Sequence, residues 1–283
     1  MSPTQTEAST ETAAALVELV PDALYLLGSS IALDGRISWV PPEARGWQPS
    51  NCYVLLDDGH CLVVDPGPAV LGDVVVEQLQ QLLPAGSPVS IFVTRAEPDT
   101  TGGIGAIARA FPVDRLYAGG GPNPFDSFEA AGEVQFGDRR ERIQLERMPA
   151  GFRMPVGPAR DLQVIPPSLR LLATWWAYDA ATATLFTSDS FTHTLNELAD
   201  GPRRLTAAMP AQQDPTQVAG HLTSKFEWLR HAKTTTLLDG VRALFDEYDV
   251  GRIAPAHGLV LEGRDVVHQH VEAVLEVLTD LAS

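Results

Sequence analysis

The stretch Ser90-Ile91-Phe92-Val93-Thr94-Arg95-Ala96-Glu97-Pro98-Asp99-Thr100-Thr101-Gly102-Gly103 decides the fold. It opens as a short apolar run of strand type, Ser90 to Thr94. A polar turn follows, and helical spacing starts at Gly103 and runs to Phe111. Side chains at the end of a buried strand converge, and a helix N-terminus adds a positive dipole. Two carboxylates, Glu97 and Asp99, and one arginine, Arg95, fall in that turn.

Outward from this point the chain alternates strands and helices. Residues 24–32, 51–56 and 60–65 read as strands, the last ended by Pro66-Gly67-Pro68. Residues 70–83 carry helical spacing. Strands are expected near 115–118, 143–148, 161–165, 171–178, 183–187 and 252–255. Helices are expected between 223 and 248, and an amphipathic helix over 263–281 closes the chain. Paired as well as single strands predict mixed sheets. Segments 119–142 and 196–222 read as long rim loops of the kind that serve as lids or partner surfaces. Residues 1–20 read as a flexible tail, and 21–283 as one domain.

The quoted turn resembles the metal motif of the metallo-β-lactamase superfamily in its flavodiiron form, His-x-Glu-x-Asp-His followed by Ser/Thr-Gly. Asn51-Cys52-Tyr53, Asp65 before Pro-Gly, Leu185-Phe186-Thr187-Ser188-Asp189 and Ala254-Pro255-Ala256-His257-Gly258 resemble four further signposts of that family. The resemblance runs from about residue 24 to 270 and implies an α/β fold: an αββα sandwich, two mixed sheets with outer helices. In its terms one metal would be held by positions 95, 97 and 170, a second by 99, 100 and 257, with Asp189 bridging.

The sequence departs from that pattern unevenly. Arg95 and Arg170 stand where the first metal would need histidines, and a guanidinium has no free lone pair to give. With Glu97 they are expected to form a salt-bridged plug. Thr100 replaces a histidine of the second half, where Asp99, Asp189 and His257 remain. Three such ligands suit at most one weakly held divalent ion (Zn, Fe or Mn). The expected cofactor content is therefore none or one divalent metal. The other histidines carry less: His193 follows the Asp189 strand by four residues and either reaches the cleft mouth or, the commoner case, is solvated, and His268 and His270 do not share a helix face. Adjacent Trp175 and Trp176 should point to opposite faces of their strand.

Composition excludes several classes. Twenty Lys+Arg against 36 Asp+Glu give a net charge of −16, which repels phosphate backbones. Nucleic acid is not an expected partner, and no apolar run of membrane-spanning length exists. The first residues lack the pattern of a signal peptide, and Cys52 and Cys61 do not make a disulfide framework, so a cytoplasmic location is expected. No nucleophile elbow, P-loop or dinucleotide fingerprint occurs. Flavodiiron proteins carry a flavin domain after this fold, and the chain has no room for one, which argues against an oxygen or nitric oxide reductase.

Three functions stay open at this stage. The first is a hydrolase subunit with a degenerate metal site, acting beside a homologous intact-site chain, or self-associating, on a small substrate such as an aromatic ester or ether. The second is a standalone hydrolase with one metal on Asp99, Asp189 and His257. The third is a metal-free binding or scaffold protein.

Overall fold

A computed structural model describes residues 15–119, 143–171 and 173–282. Two seven-stranded mixed sheets form its centre. The first holds β1 (Val17–Val20), β2 (Leu24–Leu33), β3 (Gly46–Asp57), β4 (His60–Val64), β5 (Val89–Phe92), β6 (Val113–Ala118) and β7 (Gln144–Arg147), in that order. The second holds β8 (Arg153–Pro155), β9 (Asp161–Ile165), β10 (Trp176–Asp179), β11 (Thr184–Ser188), β12 (Arg204–Leu205), β13 (Arg252–Pro255) and β14 (Val260–Glu262). Its order is β12-β14-β13-β11-β10-β9-β8. In the first sheet β4, β5, β6 and β7 run parallel; in the second, β11 pairs β13 parallel.

Three apolar layers follow from strand alternation. Leu26, Tyr53, Leu62 and Phe92 of the first sheet face Leu162, Ala177, Phe186 and Ala254 of the second. The opposite face of the first sheet, with Leu27, Val54, Val63 and Ile91, packs on α1 (Gly72–Leu82) and α3 (Ile104–Ala110). The opposite face of the second, with Trp176, Leu185 and Ile253, packs under α4 (Pro215–Lys225), α5 (Thr235–Glu247) and α6 (Arg264–Asp280). Trp176 joins this outer layer while Trp175 packs on the inner one, the opposed placement adjacent strand positions require. The architecture is the expected αββα sandwich.

Several expectations are corrected. Val17–Val20, assigned to the tail, pair with β2. Segment 196–222 is not a continuous loop: it contains β12 and most of α4, whose Pro215 sits at the first helical turn behind the Asp214 cap. The expected loop 119–142 lies, apart from Gly119, outside the described residues, as do 1–14 of the tail. Cys52 and Cys61 are both buried free thiols, as read.

The site turn is positioned by a close approach. After β5 the chain enters α2 (Pro98–Thr101), then Gly102-Gly103. A Cβ on Gly102 would lie 2.4 Å from the Ala69 backbone nitrogen, and one on Gly103 would lie 2.4 Å from the Pro66 carbonyl oxygen. Both glycines are therefore needed to seat α2 against the turn after β4.

Candidate functional site: a buried ion cluster between the sheets

Asp65, at the end of β4, has a left-handed backbone, φ 50°. Its carboxylate accepts from the Thr94 backbone N–H and Thr94 Oγ1, both at 2.8 Å. Burial pushes Asp65 up to about 7, against the pull of Thr94 and Arg95. Ser188, at the end of β11, is also left-handed, φ 53°. Its Oγ lies 2.8 Å from Thr94 Oγ1 and accepts from Arg95 Nη1 at 3.1 Å. Each such conformation costs on the order of 1 kcal/mol in a non-glycine residue. Two of them thus frame one site, at facing strand ends of the two sheets.

Arg95 leaves β5 and is 3% exposed. Its Nη2 contacts Asp99 Oδ2 and lies 2.8 Å from Asp189 Oδ1, and Nε lies 3.4 Å from Glu97 Oε2. Lys225, the last residue of α4, places Nζ 3.0 Å from Glu97 Oε2 and 3.2 Å from Asp189 Oδ2. His257, just past β13, donates from Nε2 to Asp99 Oδ2 at 2.7 Å, and Trp39 stacks on its ring at 4.7 Å. Asn51 holds that loop, donating from Nδ2 to the Pro255 and Gly258 carbonyls at 2.9 and 2.8 Å. The Tyr53 hydroxyl donates to the same Pro255 carbonyl at 2.7 Å.

The electrostatics follow from burial against neighbours. Desolvation pushes Asp99 up, but Arg95 and His257 outweigh it and hold the carboxyl well below the usual range. Asp189 goes the other way: burial raises it, only partly offset by Arg95 and Lys225. Burial works against the Arg95 charge, yet Asp189, Asp99 and Glu97 more than restore it, so its pKa is raised.

The sequence-predicted residues do not all meet here. Arg95, Glu97, Asp99, Asp189 and His257 converge; Arg170 is exposed and in none of the cluster's ion pairs. It follows Pro166-Pro167, where the chain has left β9, so its spacing from Asp189 does not fix its depth. The second cation is Lys225, which no motif in the sequence marks. Trp39 likewise lies in no motif, and Ser188 falls within a signpost that assigns it no role. His193, read as solvated, is 2% exposed and lies with Nε2 2.7 Å from His270 Nδ1. Thr100, at a histidine position, is fully buried and donates to the Arg95 and Glu97 carbonyls at 2.8 and 3.0 Å, fixing the turn.

No family model and no curated protein matches the chain. Solved structures do. Rubredoxin oxygen:oxidoreductase from the anaerobe Desulfovibrio gigas superposes with a TM-score of 0.68 at 15% identity, over 93% of this chain and 61% of that one. A diflavin flavoprotein A 5 fragment from Nostoc sp. PCC 7120 gives 0.64 at 14% identity, over 94% and 96%. The chemotaxis sensor ODP from T. denticola, in its apo state, gives 0.60 at 17%, over 95% and 93%. The chain has the metallo-β-lactamase-like fold. It spans about three-fifths of the length of the Desulfovibrio oxidoreductase.

Within the metallo-β-lactamase-like fold, the donors present do not fit a dinuclear metal centre. Ligand atoms of Asp99, Asp189 and His257 all lie within 4.8 Å of one another, close enough for one ion. Neither Asp189 oxygen receives a hydrogen bond of good geometry among the described residues, which also favours a cation there. The cations present are organic. A divalent ion within roughly 4 Å of a fixed unit charge is opposed by about 8 kcal/mol at an effective dielectric near 20. Arg95 and Lys225 together would offset roughly 16 kcal/mol of the attraction that Asp99, Asp189 and Glu97 offer such an ion. Arg95, which stays protonated, would have to be expelled from both carboxylates first.

Proposed function

We propose that this chain is a metal-independent subunit of metallo-β-lactamase-like fold, paired with a homologous chain whose metal site is intact. The reaction of such a pair is hydrolysis of a small substrate, in the class of aromatic esters or ethers. The carrying observation is the Arg95 guanidinium seated between Asp99 and Asp189. A site so neutralised has no open metal position and no activated water of its own. The chemistry then comes from another chain, while this one contributes shape and surface.

A metal-free binding protein is the second reading. The likeness to the chemotaxis sensor, over nearly the whole of both chains, supports the binding role and not the absence of metal, since that sensor also has a peroxy diiron species. A standalone one-metal hydrolase on Asp99, Asp189 and His257 is the least supported, since Arg95 already occupies both carboxylates. The test is to purify the chain alone and co-expressed with a homologous chain bearing an intact His-x-Glu-x-Asp-His motif. Metal per chain, ester and aryl-ether hydrolysis and co-elution are measured for both. The subunit reading expects no metal and no turnover alone, with a stable complex that turns over faster than the partner by itself. A metal-free chain that neither co-elutes nor raises turnover points to the binding protein. Stoichiometric metal with turnover lost in Asp189→Ala overturns both.

A further inference from the structure

Asp189 is the carboxylate that, in the resembled motif, bridges two metal ions. Here it still bridges two cations, one per oxygen. Arg95 Nη2 stands 2.8 Å from Oδ1, and Lys225 Nζ stands 3.2 Å from Oδ2. The guanidinium also takes Asp99, and the ammonium also takes Glu97. Asp99 thus goes to the guanidinium, while Glu97 is shared, 3.0 Å from the ammonium and 3.4 Å from Arg95 Nε. Neither Asp189 oxygen is held by a directional hydrogen bond among the described residues, so charge alone secures it, as it would in a metal–carboxylate contact.

We infer that Arg95 and Lys225 together replace a pair of metal ions, with Lys225 the residue that fastens α4 to the ends of both sheets. The inference rests on the metal-independent part of the proposed function and adds a residue and a task to it. Lys225 lies 36 positions beyond Asp189, at the C-terminus of a helix that otherwise packs on the second sheet through Val218 and Leu222. Its side chain is 8% exposed, and it ends beside Glu97, which comes from the first sheet's turn. One ammonium thereby joins a helix, a turn of the first sheet and a strand end of the second. Removing it leaves Asp189 with a single counter-charge and frees the last turn of α4. Removing one partner of a buried ion pair is strongly destabilising because the other charge stays buried.

The experiment compares native chain, Lys225→Met and Lys225→Arg by thermal unfolding, with and without EDTA, and with Zn2+ or Mn2+ added. Hydrogen exchange of residues 215–225 is followed in parallel. The native Tm is expected to be unmoved by chelator or metal. Lys225→Met should lower it by at least about 5 °C and speed exchange in 215–225, and Lys225→Arg should recover most of both. If Lys225→Met does not fold, the double variant Lys225→Met/Glu97→Gln, which removes a carboxylate with the cation, should. A double variant that also fails to fold makes Lys225 a packing residue and overturns the inference, as does a Lys225→Met protein as stable as native. In both cases a metal-free native chain leaves the proposed function standing. A native Tm raised by stoichiometric Zn2+ or Mn2+ overturns both.

Discussion

Two buried arginines join the sheets at opposite ends. Arg160 reaches Asp179 at the end of β10 that pairs with the start of β11, whereas Arg95 reaches Asp189 beyond the end of β11. Arg160 meets one carboxylate, with Nε 3.2 Å from Asp179 Oδ1 and Nη2 on Oδ2, and spends its Nη1 on the Ala23 and Leu56 carbonyls of the first sheet at 2.9 and 3.0 Å. Asp179 takes further bonds from the Ala181 N–H and the Thr182 hydroxyl. Every charge there has directional partners and the count balances. Arg95 meets three carboxylates, leaves its Nε without a directional hydrogen bond, and needs Lys225 as a second cation. The first arrangement is what a sheet–sheet clamp requires. The second has more acid than any clamp needs, because its carboxylates sit where the resembled motif places metal ligands.

The contrast predicts a ranking. Arg95→Met leaves Asp189 and Glu97 to Lys225 and Asp99 to His257, and should cost about 5 kcal/mol, the upper end for a broken buried pair; calorimetry or denaturant titration reads it. Arg160→Met should cost less, about 3 kcal/mol, because Asp179 keeps its Ala181 and Thr182 donors. The two losses should add within about 0.5 kcal/mol in the double variant, since the sites share no partner. Equal losses, or strong coupling, would break the distinction between the two ends.

Acid sharpens it further, because neither arginine titrates. The buried histidines do: desolvation lowers His270 and His221 to about 4, and lowers His193 well below its ordinary value, with His270 adding to the effect. Between about 6.5 and 4 the unfolded chain takes up protons that the folded chain refuses, so these groups withdraw stability as pH falls through that window. Asp65, raised to about 7, acts in the opposite sense, gaining a proton in the folded state first. The measurement is therefore a difference: His270→Gln should flatten the acid-side fall of stability relative to native. The smallest effect is expected at Arg170→Ala, within about 0.5 kcal/mol of native, because that side chain lies outside the cluster. A larger loss there would restore it to the plug from which the geometry removes it.

How much of this could be read in advance depended on how local each feature is. The run from β2 to α3 carries its own punctuation: period-two strands, Asp-Asp-Gly and Pro-Gly-Pro turns, then helical spacing. The two- and three-residue strands β12, β8 and β14 have no period to show and exist because a neighbour pairs with them. Arg95, Glu97 and Asp99 declared themselves within five residues. Lys225 could not, since only the packing of α4 brings it to Asp189. Arg170 failed for the converse reason, a matching spacing on a residue that is exposed while its neighbour Leu169 is buried. His193 lacked any local sign of burial, because its partner, His270, lies 77 residues away.

The cluster also has an order in time. Arg95 and Asp99 are four residues apart, so their pair can form within a single turn as soon as that turn leaves the ribosome. Asp189 emerges later, then Lys225, then His257, and each adds opposite charge, or a hydrogen bond, to a partner already made. At about 5–20 residues per second, the interval between Asp99 and His257 lasts on the order of ten seconds or more. Throughout it, the acidic turn travels with a counter-charge of its own, Arg95 beside Asp99.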